Sequence, residues 1–404
     1  MNTLTRNYLR SKFREYYLQA ALDTPPSLES REWGFILFDD VGMRRHKSYL
    51  GRGELVDYIR SMVPAHLYHS AAYYQRPGAP TMKEKGWQGA DLIFDLDADH
   101  LRKAPKSYSD MLDLVKKETL KLLNFLLADF GFSEKNISVV FSGGRGYHIH
   151  VRDPKVLALG SDERREIVDY LTGRGLDVER FINESYIGGD SRGGERAFKL
   201  RAPVEGAPGW GSRINRSLIS FVVRTRDLDE NDAVKVLSLT KGIGPKKAAA
   251  FYKGLVERDA LDKVRQGNLD LFRGSSQIWK KLLAEFLEGE SVKVGWSLDD
   301  ERGETDEPVT ADIRRLIRCP TSLHGGSGFR VTPLTIQSLE EFEPLWDAVV
   351  FGDEPVAIDV VKPFKTEIQG ESYDLEEGHS ELPACAAIFL MARGAAELGK
   401  ALEG

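Results

Sequence analysis

Four carboxylates share nine residues with five apolar side chains in Asp91-Leu92-Ile93-Phe94-Asp95-Leu96-Asp97-Ala98-Asp99. Side chains alternate along an extended chain, so Asp91, Ile93, Asp95 and Asp97 share one face, and Leu92, Phe94 and Leu96 can anchor the other. Carboxylates two residues apart lie roughly 7 Å apart at their Cα atoms and repel unless positive charge lies between them. A divalent cation is the usual solution; a strand running out into an acidic, solvated turn is the plain alternative.

A second group lies in Ser142-Gly143-Gly144-Arg145-Gly146-Tyr147-His148-Ile149-His150. Glycines let backbone approach a bound group closely, and their free N–H groups can cradle phosphate oxygens. Arg145 adds a guanidinium fork, and His148 and His150, on one face of the returning strand, can hold or protonate an anion. A third group combines Thr305-Asp306-Glu307-Pro308 with Ser322-Leu323-His324-Gly325-Gly326-Ser327-Gly328. Between them Arg314, Arg315 and Arg318 are expected on a helix over about 311–318, stopped by Pro320. A solvated helix face would explain these arginines by themselves; beside several carboxylates, Arg318 becomes a candidate phosphate ligand. Two carboxylates on a strand, a third from elsewhere and a phosphate cradle suit two-metal nucleotidyl transfer.

The elements that must position these groups follow from periodicity. Residues 5–22 read as an amphipathic helix, 31–38 and 43–49 as strands, and 53–63 as a helix. Ser70 to Gln75 reads as one strand, 109–130 as a long helix, and 137–141 with 147–151 as a hairpin. A helix near 162–174 precedes a Gly-, Arg- and Pro-dense segment, 188–226, read as loops with short strands. From 227 to about 292 the pattern is helical and charged, and 297–307 is acidic and loop-like. The acidic stretch 366–382 reads as a linker or exposed loop before a short terminal helix.

Composition limits the function classes. With 404 residues, 41% hydrophobic and 29% charged, the chain can bury the cores of two or three domains. A net charge of −6 advertises no global field for nucleic acid, although a local basic surface is enough to bind it. Cys319 and Cys385 are the only cysteines, too few for a disulfide framework or a thiolate zinc site, which fits a cytoplasmic protein. Met1 to Ala20 lacks the apolar run of a signal peptide, and the apolar stretch Ala384 to Ala392 is too short to span a bilayer, so no membrane association is expected.

The motifs REWGF with FDDVGMRRHKSY, YYQRP, DLIFDLDADH, VVFSGGRGYHIHV and DEPVTADIRRLIRCPTSLHGGSG run from Arg31 to about Arg330. Through them the chain resembles the catalytic (small) subunit of archaeal and eukaryotic DNA primase, in its archaeal form. The resemblance implies an α/β (α+β) fold: a mixed-sheet catalytic core with an inserted helical subdomain. The expected division is 1–226 and 297–365 for the two parts of the core, 227–296 for the helical insertion, and 366–404 for an acidic linker and C-terminal helix. It implies template-directed synthesis of short RNA primers on single-stranded DNA from NTPs, with dNTPs left open, alongside a primase large subunit in a heterodimer. Mg²⁺ or Mn²⁺ would be held by Asp95, Asp97 and Asp306. Asp306 is preferred to Asp312 because the family places its third aspartate eighteen residues before the histidine of the SLHGGSG-type motif, as Asp306 stands to His324. Nucleotide contacts would come from Ser142, Gly144, Arg145, His148, Arg318 and His324. Glu32 and Arg44 match positions near the initiating nucleotide or metal.

Two departures stand out. Many family members carry a zinc module soon after the Asp-x-Asp strand, whereas residues 100–136 hold no cysteine and only His100, so no zinc is expected. The helical insertion varies within the family, and its own sequence contains Leu239-Thr240-Lys241-Gly242-Ile243-Gly244-Pro245-Lys246-Lys247-Ala248. That stretch resembles the glycine hairpin of a helix-hairpin-helix, able to grip a DNA phosphate without reading sequence; a helix cap followed by a basic surface helix explains it equally well. Two rival functions remain at this point, a metal-dependent phosphohydrolase and a non-catalytic nucleic-acid-binding subunit.

Overall fold

The computed structural model describes residues 1–100, 105, 107–188, 197–257, 259–287 and 298–400. Parts of the expected loops at 188–226 and 297–307, the last residues of the expected insertion, and the chain end 401–404 lie outside the described residues. Contacts divide the chain into two units, one of Met1–Leu123, Gly131–Asp169 and Glu304–Gly404, the other of Asn124–Phe130 and Tyr170–Gly303.

Two four-stranded sheets carry the first unit. One runs in the order Leu316–Arg318, Pro64–Ser70, Trp33–Leu37, Arg44–Lys47, and the other Thr332–Leu334, Ile137–Phe141, Gly146–Val151, Leu92–Asp97. Every described strand pair is antiparallel, which narrows the expected mixed sheet while keeping the α/β (α+β) class. The helix Thr3–Gln19 buries Phe13 and Tyr17 in a core with Trp33, Phe35, Ile59 and Leu323. Near the end of the chain, the helix Ala384–Ala392 is buried from Ala384 through Met391, as a helix apolar all round must be. No described helix is long and apolar enough to cross a membrane.

The second unit packs helices Trp210–Arg226, Glu230–Leu237, Pro245–Val256, Ala260–Arg265 and Ser275–Leu287 beside the hairpin Asn183–Gly188 and Ala197–Arg201. Trp279 is fully buried, edge-on to Phe221 and Phe251 with ring centroids 5.6 and 5.1 Å away. The buried Arg213 is held bidentately by Asp129, both bonds 3.0 Å.

Several expectations change. The helix expected over 311–318 is replaced by a shorter helix, Glu307–Ala311, and a strand, Leu316–Arg318. Pro308 starts the helix early, Asp312 turns extended and accepts the Arg314 N–H at 2.9 Å, and the following residues complete a ladder with Pro64–Ser70. Within 188–226, residues Trp210–Arg226 form a 17-residue helix whose buried face includes the polar Arg213 and Asn215, which masked its apolar stripe. The second unit accordingly begins well before 227. Ser70 to Gln75 is two strands, Pro64–Ser70 and Ala72–Tyr74, on different sheets. The segment 366–382 is not a linker: Phe364–Ile368 pairs with Glu371–Leu375, and Gly378–Pro383 pairs with Pro355–Val360.

Candidate active site

The strand Leu92–Asp97 lies antiparallel to Gly146–Val151 in a register that sets Asp95 opposite His148 and Asp97 opposite Gly146. The carboxylates and the glycine hairpin therefore meet through backbone pairing. His148 Nε2 stands 3.5 Å from Asp95 Oδ1, and Arg145 Nε 3.8 Å from Asp97 Oδ1. A second contact joins Arg145 to Asp99. The guanidinium thus lies against the acidic end of the strand.

Glycine is required in the hairpin for two distinct reasons. Gly143 has φ +75°, and a Cβ there would come within 2.7 Å of the His324 Cβ. A Cβ on Gly146 would lie 2.1 Å from the Leu96 carbonyl oxygen, against the carboxylate strand itself. Ser142 accepts the Gly144 N–H at 3.2 Å, and Tyr108 and Ser327 donate hydroxyls to the carbonyls of Gly144 and Gly143.

Asp306 reaches the same strand from 211 residues away in sequence. Its N–H donates to the Asp95 carbonyl at 2.9 Å, and the Thr305 hydroxyl donates to the same oxygen at 3.2 Å. Ile93, on the carboxylate face, packs in one cluster with Val309 and Ile317. That small core ties the strand to the two segments that carry Asp306 and Arg318.

Arg318 sits opposite Tyr68, its guanidinium 5.1 Å over the ring and donating to His66 Nδ1 at 2.8 Å. Burial, then Arg318, push the His66 pKa down to about 3, so its ring is a neutral acceptor. His148 is likewise held down, to about 3, by burial and then by Arg318 and Arg315. Burial and the same guanidinium keep His324 well below its ordinary value, and its Nδ1 accepts the Gly326 N–H at 3.1 Å.

These groups line a cavity of about 660 Å³ whose walls include Asp95, Asp97, Ser142, Gly144, Arg145, His148, Arg318 and His324. Eight of the expected site residues thus share one space. Asp306 is not on its wall, although its backbone is bonded to Asp95. Glu32 and Arg44 also lie off the wall: Glu32 is buried against Arg45 at 3.0 Å and Lys85 at 3.5 Å, and Arg44 pairs with Asp40 at 2.6 Å. His150 turns into the core, stacked on His69. Sequence reasoning missed Tyr68, Phe364 and Arg393 on the wall. Arg393 follows the buried C-terminal helix and lies over the rings of Tyr108 and Phe389, 4.4 and 4.5 Å from their centroids. Nothing local marks it, since it follows a plain apolar run.

The donor set is all carboxylate oxygen, the chemistry that suits Mg²⁺ or Mn²⁺ rather than a thiolate-seeking metal. Among the described residues no three acidic, imidazole or thiol side chains converge into a closed metal cage. Asp95 and Asp97 form a partly exposed pair, with side chains 19% and 32% exposed, and the Asp306 backbone is bonded to Asp95. This fits cations that bring their own water and phosphate ligands.

The profile of the DNA primase small subunit family matches residues 94–336. A DNA primase small subunit PriS from Methanothrix thermoacetophila is 58% identical over 403 residues, covering 99% of this chain and all of that one. Those from Methanococcoides burtonii and Methanosarcina barkeri are 49% and 46% identical, each over 99% of this chain and 100% and 98% of theirs. A chain matched over its whole length at such identity, with the matched segment spanning carboxylate strand, glycine hairpin and His324 loop, belongs to the DNA primase small subunit family.

Proposed function

We propose that this chain is the catalytic subunit of a DNA primase, joining ribonucleotides into short primers on a single-stranded DNA template. The observation that carries the reading is the register of Leu92–Asp97 on Gly146–Val151, which sets Asp95 beside His148 at an arginine-lined cavity of about 660 Å³. Asp95, Asp97 and Asp306 would hold two Mg²⁺ or Mn²⁺ ions. Bound there, such ions lower the pKa of an attacking hydroxyl and neutralise charge on the leaving pyrophosphate.

The chain's own groups do the positioning. Arg318 and His324 offer donors to the triphosphate, and Ser142, Gly144 and His148 flank it from the hairpin. Arg145, beside Asp97 and Asp99 at the cavity wall, would offer its guanidinium to a phosphate oxygen. Phosphoryl transfer asks mainly for such placement and charge stabilisation. The large-subunit partner, cytoplasmic location and an initiating-nucleotide role for Glu32 and Arg44 belong to the same reading and rest on family resemblance.

The test is a template-dependent synthesis assay with labelled NTPs and Mn²⁺. Wild-type protein should extend chains, and Asp97→Asn should lose roughly a thousandfold in rate, about 4 kcal/mol, while melting at or above the wild-type temperature. Released phosphate without chain extension would point to a hydrolase instead. Normal synthesis by Asp97→Asn would remove the metal assignment.

A further inference from the structure

The helical unit carries a site that the cavity chemistry does not use. Helices Glu230–Leu237 and Pro245–Val256 are joined by a hairpin through Thr240–Gly244. Ile243 in the turn is 2% exposed and anchors it to the core below. From the helix Ser275–Leu287, the Glu285 carboxylate accepts the Lys241 N–H at 2.7 Å and the Thr240 hydroxyl at 3.0 Å. Lys281 of that helix donates to the Gly242 carbonyl at 2.7 Å. The turn is therefore fixed from three sides.

Beside it opens a cavity of about 270 Å³ lined by Lys246, Lys247, Arg273 and Lys281, with Phe272 and Gln277 among its other walls. Among the described residues no carboxylate pairs with any of these four cations. This is unusual in a chain with 62 acidic against 56 basic residues, because unpaired cations gathered at one concavity repel one another. Gly242 needs its glycine for φ +81°, but Gly244 does not: its φ is −81°, and an added Cβ would meet nothing within 4 Å. Gly244 is the N-cap of the helix Pro245–Val256, and without a side chain it leaves the open face of the turn free for close approach of a ligand to backbone.

We infer that this basic cavity and the hairpin beside it hold the phosphodiester backbone of DNA, independently of sequence. Four cations around one small cavity complement the negative charge of a phosphodiester backbone, which carries no sequence information. Phe272 offers an apolar surface to sugar or base. The choice of DNA, rather than another polyanion, rests on the primase reading.

Fluorescence anisotropy of labelled, mixed-sequence single-stranded and duplex DNA on the full chain, across a salt series, tests this. Lys246→Glu/Lys247→Glu should weaken binding roughly tenfold at low salt for every sequence, and flatten the single-strand log–log salt slope by about 1.4, two contacts at about 0.7 each. Gly244→Ser keeps a good helix cap and all charges, yet should weaken binding several-fold by placing a side chain on the open face. Both should melt like wild type, since the altered side chains are exposed. The single-strand and duplex arms identify which form the site prefers. Unchanged affinity and slope in the lysine variant would overturn the inference, as would polyglutamate competing as well as DNA. Asp97→Asn should still bind DNA with the wild-type slope. Patch-dependent binding without synthesis would sink only the polymerase reading, and synthesis with patch-independent binding would sink only this one.

Discussion

Asp91 and Asp95 share a residue type and a strand face, yet the structure gives them opposite surroundings. Asp91 is fully buried with Arg31, the two 2.9 Å apart, and accepts the Tyr73 hydroxyl at 2.6 Å. Asp95 and Asp97 face the cavity. Asp91→Asn should therefore cost about 3–5 kcal/mol in a urea titration, because it leaves the Arg31 charge buried without its partner. It should leave the proposed metal-binding carboxylates chemically intact, so residual activity measured well below the melting temperature should exceed that of Asp97→Asn by far. The sorting of these aspartates was partly legible in sequence: alternation places Asp95 and Asp97 together, and the apolar run before them marks the buried end. The buried guanidinium that claims Asp91 lies 60 residues earlier, and no local pattern links the two.

Strand pairing decides what else could be read. The hairpin Ile137–Phe141 and Gly146–Val151 was legible because its β-branched residues, glycine turn and alternation are all local. The strand Leu316–Arg318 was not, since its partner is 250 residues away and three residues are too few to establish a period. The hairpins over 364–383 alternate charged residues with few apolar ones, and so resemble solvated loop. The same holds for the C-terminal wall of the cavity: the family profile ends at residue 336, but Phe364 and Arg393 complete the lining. Arg393 adds a guanidinium planted on two aromatic rings to a lining that also includes Arg318 and Arg145. Arg393→Ala should raise the KM for NTP roughly tenfold or more, the value of one or two charge-assisted hydrogen bonds, with a smaller change in kcat. A steady-state titration of NTP at saturating template separates the two parameters. An unchanged KM would leave Arg393 as packing alone.

For the molecule as a whole, the proposed cation site predicts a link between cation binding and stability. If Asp95, Asp97 and Asp306 hold cations as proposed, Mn²⁺ should raise the melting temperature of the wild type. At about 100 times its dissociation constant the ion contributes about 2.7 kcal/mol. Asp95→Asn/Asp97→Asn should lose this shift, and chelator should reverse it in wild type; a differential scanning calorimetry series reads both. Arg393 also has a consequence in time. It follows His148 by 245 residues, so at roughly 5–20 residues per second a ribosome needs about 12 to 50 s to travel from one to the other. For that interval a nascent chain possesses its acidic strand and its glycine hairpin but lacks the wall that completes their pocket. On the proposed reading, unfinished chains should compete poorly for triphosphates, and a translation product cut short after the family-matched segment would hold Asp95, Asp97 and Asp306 without the Arg393 side of the cavity.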